Sequence, residues 1–232
     1  MAEQESDLER ELKLVPADAG LLDRLAGLDQ LGPFRVTGRH REEQRNSFFD
    51  SPARAFETAR LGFRRRVIEG QRLATWTLKG EGSVASGVAS RPEIELQLSS
   101  EMPPALVIGT LEQAARQRGA PVLAEQVADA LASGGLPLAR PVLETVTDRR
   151  VLDLEASERG WRAELALDRV HLVGHTYAEM EIEVELRRGD EATLAAARRA
   201  IEALGAVHDS RGSKLSRALA HARSCACRTP RG

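Results

Sequence analysis

Apolar and polar residues alternate with a period of two in one stretch of this chain after another, and the polar members of each stretch are mostly charged. That period is the repeat of a strand with one apolar and one polar face. Leu8 to Val15 sets Glu9, Glu11 and Lys13 against Leu8, Leu12 and Leu14, with Arg10 interrupting the apolar set. Phe63 to Ile68 puts Arg64 and Arg66 on one face, Leu73 to Lys79 aligns Thr75, Thr77 and Lys79, and Arg91 to Leu98 sets Arg91, Glu93, Glu95 and Gln97 against Ile94, Leu96 and Leu98. In the second half, Val142 to Leu154 aligns Thr145, Thr147 and Arg149, and Trp161 to Val170 aligns Arg162, Glu164 and Asp168. Met180 to Leu186 then aligns Glu181, Glu183 and Glu185.

Helical periodicity separates these strands. Asp18 is a candidate cap for a helix running to about Gln30, with Leu21, Leu22, Leu25 and Leu28 as its apolar stripe and Gly32-Pro33 as its stop. Ala105 to Arg118 and Val122 to Leu131 predict two more helices, divided by Gly119 and Pro121. Asp190 caps a last long helix with Leu194, Ala197, Ile201 and Leu204 inward, and a short helix follows from about Ser213. Gly80 to Ser90 and Ser157 to Gly160 predict loops, and Ser224 to Gly232 a disordered tail behind a single domain spanning 1–223.

Two sets of strands around a helical insertion predict an α+β fold built on one closed antiparallel β-barrel, in which closure removes the edge strands. Which face points inward decides the chemistry. An ordinary sandwich would bury the apolar face and wet Glu181, Glu183 and Glu185. Three like charges at alternate positions, about 6 to 7 Å apart, nevertheless call for a compensating cation. The preferred arrangement is therefore the inverse one, with charged faces lining a water-filled tunnel and helices covering the apolar exterior.

Composition narrows the function classes. The 232 residues hold 33 basic against 35 acidic side chains, a balance that argues against a nucleic-acid partner bound by bulk positive charge. Cys225 and Cys227 lie too close to bridge comfortably and lack further ligands, so neither a disulfide framework nor a zinc site follows. No apolar run near the start suits a signal or a membrane span, and a cytoplasmic protein is expected. Lysine occurs only at Lys13, Lys79 and Lys214; every other basic residue is arginine. Lysine is a compact charge with a movable pKa and arginine a planar fork that stays charged, so they are not interchangeable at a reacting phosphate. The acidic set Glu9, Glu11, Glu181, Glu183 and Glu185 suits Mg²⁺ or Mn²⁺, and the basic set Arg64, Arg66, Lys79 and Arg149 suits phosphate oxygens.

Glu9-x-Glu11-x-Lys13, Phe49-Asp50-Ser51-Pro52, Gly62-Phe63-Arg64-Arg65-Arg66, Thr77-Leu78-Lys79, Arg91-Pro92-Glu93, Leu167-Asp168, Glu181-Ile182-Glu183-Val184-Glu185 and Ser213-Lys214-Leu215-Ser216-Arg217 follow one another in an order that resembles the CYTH domains, or triphosphate tunnel metalloenzymes, over about residues 7 to 221. The segment around Thr145, Thr147 and Arg149 is especially similar to bacterial inorganic triphosphatases. The resemblance implies a tunnel of eight or more strands that hydrolyses or rearranges a triphosphate with Mg²⁺ or Mn²⁺. It implies metal ligands at Glu9, Glu11, Glu183 and Glu181 or Glu185. It implies phosphate ligands at Arg64, Arg66, Lys79, Arg149, Lys214 and Arg217. Lys13 would position or activate the attacking water, provided cationic neighbours depress its pKa. Some members assist this lysine with a tyrosine, but the only tyrosine here, Tyr177, lies outside the part of the chain that carries Lys13. Many bacterial members carry a helical, histidine-bearing domain after the tunnel. This sequence stops at Gly232, which leaves a stand-alone domain and a truncated chain both open.

The substrate expected is inorganic triphosphate, with polyphosphate as a further ligand. Thiamine-triphosphatase, nucleoside-triphosphatase and adenylate cyclase activities are the enzymatic alternatives, and a polyphosphate-binding module the non-enzymatic one. A base or thiazole ring needs an aromatic platform. Eight aromatic residues, with Phe48, Phe49 and Phe63 expected to pack, favour a substrate without a ring. The five histidines are scattered, with His171 and His175 flanking a loop, and none is read as a ligand.

Overall fold

A computed structural model describes residues 8–85 and 88–226. Eight strands close into an antiparallel barrel: β1 (Leu8–Pro16), β10 (Ala178–Arg188), β9 (Trp161–Leu172), β8 (Leu143–Ala156), β3 (Phe34–Phe49), β4 (Gly62–Ile68), β5 (Ala74–Lys79) and β7 (Val88–Leu98), in that order around the wall. β1 closes the ring by pairing with β10 on one side, Glu11 opposite Glu185, and with β7 on the other, Glu9 opposite Arg91. Short strands β2 (Gln30–Leu31), β6 (Ser83–Ala85) and β11 (Val207–Asp209) pair with β3, β7 and β1.

Alternation puts the charged residues inside and the apolar residues outside, as the inverse arrangement requires. Two separate apolar layers coat the barrel. Over β1, β8, β9 and β10, Leu12, Leu14, Leu165, Ile182 and Val184 are buried beneath α1 (Gly20–Ala26) and α5 (Glu191–Glu202). Over β4, β5 and β7, Phe63, Trp76, Leu78 and Ile94 are buried beneath α2 (Ala55–Thr58), α3 (Pro104–Gln117) and α4 (Pro121–Gly134). Asp50, in the turn after β3, accepts hydrogen bonds from the backbone N–H groups of Ser51, Phe56 and Glu57 and so ties α2 to the end of the strand.

α6 (Lys214–Ala226) lies across one end of the barrel. Phe48, Leu143 and Leu172 follow the inward parity of Asn46, Thr145 and Asp168 on their strands, yet they are apolar and pack against Leu215, Ala218, Leu219 and Ala222 of α6. The interior thus changes from ionic to apolar where a helix must dock. Among the described residues no helix is long and apolar enough to cross a membrane.

Several boundaries differ from the sequence expectation. The first helix stops at Ala26 rather than near Gln30, because Gln30 and Leu31 turn through Gly32, at φ +56°, to pair with Phe34 and Arg35. Asp18 still supplies an acceptor, to the Gly20 N–H at 2.8 Å, although Ala19 holds the cap position. At α5 the expected cap is present: Asp190 accepts from the Ala192 and Thr193 N–H groups while the Thr193 hydroxyl accepts from the Asp190 N–H. Leu204 is not inward; the helix ends at Glu202 and Leu204 is exposed. Part of the expected loop at Gly80 to Ser90 is the β6–β7 hairpin. Of the expected tail, residues up to Ala226 belong to α6, and 227–232 lie outside the described residues.

Candidate active site

The inward faces of the strands enclose a cavity of about 1440 Å³, bordered by Glu9, Glu11, Lys13, Arg64, Arg66, Lys79, Arg149, Glu183, Glu185 and Lys214. Of the residues nominated from sequence, only Glu181 and Arg217 do not reach it. Glu181 is fully buried beside Lys214 and Arg217 of α6, where its carboxylate accepts from Ser210 at 2.6 Å, pairs with Lys214 at 2.9 Å and pairs with Arg217 at 2.8 Å. Arg217 is spent on Glu179, Glu181 and the carbonyl of Gly212. These two residues anchor α6 to the barrel rather than facing a ligand.

Opposite charges meet in two networks. In the first, Glu183 receives Lys13 at 2.9 Å, Arg149 at 2.6 Å and Lys214 at 2.9 Å, while Asp168 takes a two-pronged contact from Arg149 and a third from Lys214 at 2.6 Å. Burial alone would raise the pKa of Glu183, but Lys13, Lys214 and Arg149 outweigh it and hold the carboxyl well below its ordinary value. In the second, Glu9 receives Lys79 at 3.0 Å and Arg91 at 2.9 Å, Glu11 receives Lys13 at 3.0 Å and Arg91 at 2.8 Å, and Lys79 also reaches Glu93 at 2.5 Å.

Lys13 differs from the expectation. Its neighbours are carboxylates, and although burial opposes them, Glu183 and Glu11 raise its pKa, so the ammonium is stabilised instead of being primed to lose a proton. Tyr177 donates to Glu179 at 2.6 Å and has no contact with Lys13.

At two places the charges are not balanced. Burial and the adjacent Arg66 push the Arg64 guanidinium down to about 10, and its Nε is buried without an acceptor. Among the described residues its only ionic partner, Glu95, is 3.3 Å away, and Arg66 has just the amide oxygen of Asn46 at 3.4 Å. On the other wall, Glu11 of β1, Glu185 of β10 and Glu164 of β9 stand opposite one another in register. Burial pushes Glu185 up to about 7 despite Arg187, with Glu9, Glu164 and Glu11 adding to the rise.

That acidic row fits a hard divalent cation in its chemistry: the donors are all oxygen, and Glu185, pushed up to about 7, would hold its charge more firmly beside added positive charge. Among the described residues no three such groups converge as a cage, and Glu11 is engaged by Lys13 and Arg91. Arg91, Glu93, Glu95 and Asp168 were visible in sequence as strand residues but were not nominated. The usable signal was parity: Arg91, Glu93 and Asp168 face Glu9, Lys79 and Arg149 across strand pairs, and Glu95 shares the inward face of Arg91 and Glu93.

The family model of the CYTH domain matches residues 7–219. No curated protein sequence matches the chain significantly. Among solved structures, HpAC1 from Hippeastrum, described as a putative adenylyl cyclase with a dominant triphosphatase activity, is similar with a TM-score of 0.62 at 20% identity, covering 92% of this chain and 96% of the other. A putative adenylate cyclase from Bacillus halodurans gives 0.54 at 17% identity over 91% and 98%. The PH1819 protein from Pyrococcus horikoshii gives 0.54 at 19% identity over 92% and 99%. At these identities the likeness concerns the fold.

Proposed function

The chain belongs to the CYTH domain family, and we propose that it hydrolyses inorganic triphosphate to diphosphate and phosphate inside its barrel, with Mg²⁺ or Mn²⁺. The observation that carries this reading is that both signs of charge are incompletely compensated in one lumen: Arg64 and Arg66 stand together with Glu95 alone as ion partner of Arg64 among the described residues, at 3.3 Å, and Glu185 stays pushed up although Arg187 pairs with it at 2.7 Å. A metal triphosphate supplies both.

Arg64, Arg66, Lys79, Arg149 and Lys214 would grip phosphate oxygens, and Glu9, Glu11, Glu183 and Glu185 would hold the metal. A bound divalent ion supplies neutralisation of the phosphate charge as the terminal group leaves. Water attacks the terminal phosphorus, the bridging P–O bond breaks with its electron pair going to diphosphate, and the proton lost by the water passes to the departing diphosphate or to solvent. Lys13 would donate to an oxygen and so orient the water or the terminal phosphate. Phosphoryl transfer of this kind depends mostly on positioning and preorganised charge.

HpAC1, as a cyclase-like neighbour described with a dominant triphosphatase activity, lends the hydrolytic alternative weight over the cyclase one. Among the described residues the aromatics bordering the cavity, Phe48 and Phe49, are both buried and offer no open platform for a base or thiazole ring. The test is phosphate release from inorganic triphosphate and from ATP, with Mg²⁺, Mn²⁺ or chelator, in the parent and in Glu11→Gln. Metal-dependent release from triphosphate well above ATP, lost in the variant, is expected. Tight polyphosphate binding without release from either compound would make the protein a binding module instead.

A further inference from the structure

Arg91 occupies both carboxylates of the Glu9-x-Glu11 pair at once. Its Nε donates to Glu9 at 2.9 Å and a terminal nitrogen donates to Glu11 at 2.8 Å. The β1–β7 register places it directly across from Glu9, and the side chain is only 17% exposed. The other cations on these carboxylates each also contact a carboxylate outside this pair, Lys79 at Glu93 and Lys13 at Glu183. Among the described residues Arg91 has no third carboxylate in ion-pair contact.

We propose that Arg91 is an internal counter-ion that a divalent cation displaces from Glu9 and Glu11, and that the released guanidinium then binds a phosphate oxygen, coupling metal binding to triphosphate binding. The inference rests on the reading that Glu9 and Glu11 hold the metal. A buried guanidinium stripped of its anions is strongly destabilising. Metal alone must therefore both break two ion pairs and strand a charge, so it binds weakly. A triphosphate gives the freed fork a new planar partner of matching geometry, and the penalty disappears. Each ligand then tightens the other by the same factor, as linkage requires. The competing role is a latch, in which Arg91 only holds β7 to β1. A latch would affect stability and leave the coupling untouched.

The probe is Mn²⁺, titrated calorimetrically into the parent, Arg91→Leu and Arg91→Lys, first alone and then with a methylene-bridged triphosphate analogue that cannot be hydrolysed. In Arg91→Leu, Mn²⁺ alone is expected to bind about tenfold more tightly than in the parent, and the gain from the analogue to shrink by about tenfold, within the usual range of coupling factors. Arg91→Lys, which keeps the charge and loses the fork, is expected to show a smaller gain from the analogue than the parent. If Arg91→Leu does not fold, Arg91→Lys decides alone, and a gain equal to that of the parent overturns the inference. Unchanged Mn²⁺ affinity and unchanged gain in a folded Arg91→Leu overturn it as well, while loss of Mn²⁺ binding in Glu11→Gln leaves the metal reading standing. A parent that binds no Mn²⁺ with or without the analogue overturns that reading and the inference with it.

Discussion

The two faces of β5 belong to one strand of six residues and are held by different physics. Outward, the Trp76 ring lies against Phe49 and Phe63, both with centroids 5.7 Å away, and its indole N–H donates to the Ser99 carbonyl. Ala74 and Leu78 on the same face are fully buried. Inward, Thr75 accepts from Gln97, Thr77 donates to Glu95 at 2.7 Å, and Lys79 divides itself between Glu9 and Glu93. The outer contacts are numerous, non-directional and proportional to area, so no other partner serves as well. The inner contacts are few, directional and ionic, and a charged ligand can take the place of any of them. The outer face specifies the barrel; the inner face leaves it ready to exchange partners.

Truncation on the outer face should give the largest loss of stability. Trp76→Ala is expected to lower the unfolding free energy by about 3–5 kcal/mol, the range for deleting a fully buried large aromatic. Chemical denaturation measures it, and a loss below about 1 kcal/mol would mean that the α3–α4 layer is not the clamp on this wall.

On the inner face the effect moves from stability to rate. Arg66→Ala and Lys79→Ala are each expected to lower turnover of triphosphate by about 100-fold, the scale of one charge-stabilising donor. They should separate in stability. Arg66 stands beside a second buried guanidinium and lacks a carboxylate of its own, so its removal leaves the melting temperature unchanged or raised. Lys79 lies between two carboxylates, so its removal destabilises. Unchanged turnover in both variants would sink the tunnel assignment, and an equal loss of stability would erase the distinction drawn between the unbalanced and balanced parts of the lumen.

This division also explains what could be read from sequence. Strands with one apolar face, such as β5 and β10, are legible because burial outside and charge inside enforce alternation. β3 is not. Its run Phe34 to Phe49 is polar at nearly every position, since over residues 35–43 one face is largely solvent-exposed and the other meets polar lumen, and a bulge near Gly38 breaks its period. The lumen residues were legible as a set, because parity assigns a face. Their partners were not, because a strand pattern contains no register. Glu181 has the same parity as Glu183 and Glu185, yet Ser210 and Arg217 claim it beside α6. Lys13 follows Glu11 by two residues, which in a strand means the same side, so the carboxylate environment that raises its pKa was implicit in the motif itself.

The smallest effect is also the one that separates the two faces by pH. Burial would raise the Glu95 carboxyl from its ordinary 4.5, but Arg64 and Arg66 outweigh it and hold it at about 2. A carboxyl depressed in the folded state stabilises fully above its unfolded pKa, and that contribution is lost as pH falls from about 4.5 toward 2. Glu95→Gln should therefore be less stable than the parent near neutrality, with the gap closing on acidification. The side chain is 42% exposed, so solvent screening keeps the gap small. The deficit of Trp76→Ala involves no titrating group and should not close over the same interval. Denaturation midpoints of the three proteins between pH 6 and pH 3 make the comparison, and a Glu95→Gln gap that persists unchanged to low pH would show that Glu95 contributes shape rather than charge. Added triphosphate should shrink the same gap at neutral pH, because an anion on Arg64 competes for the contact that Glu95 otherwise supplies.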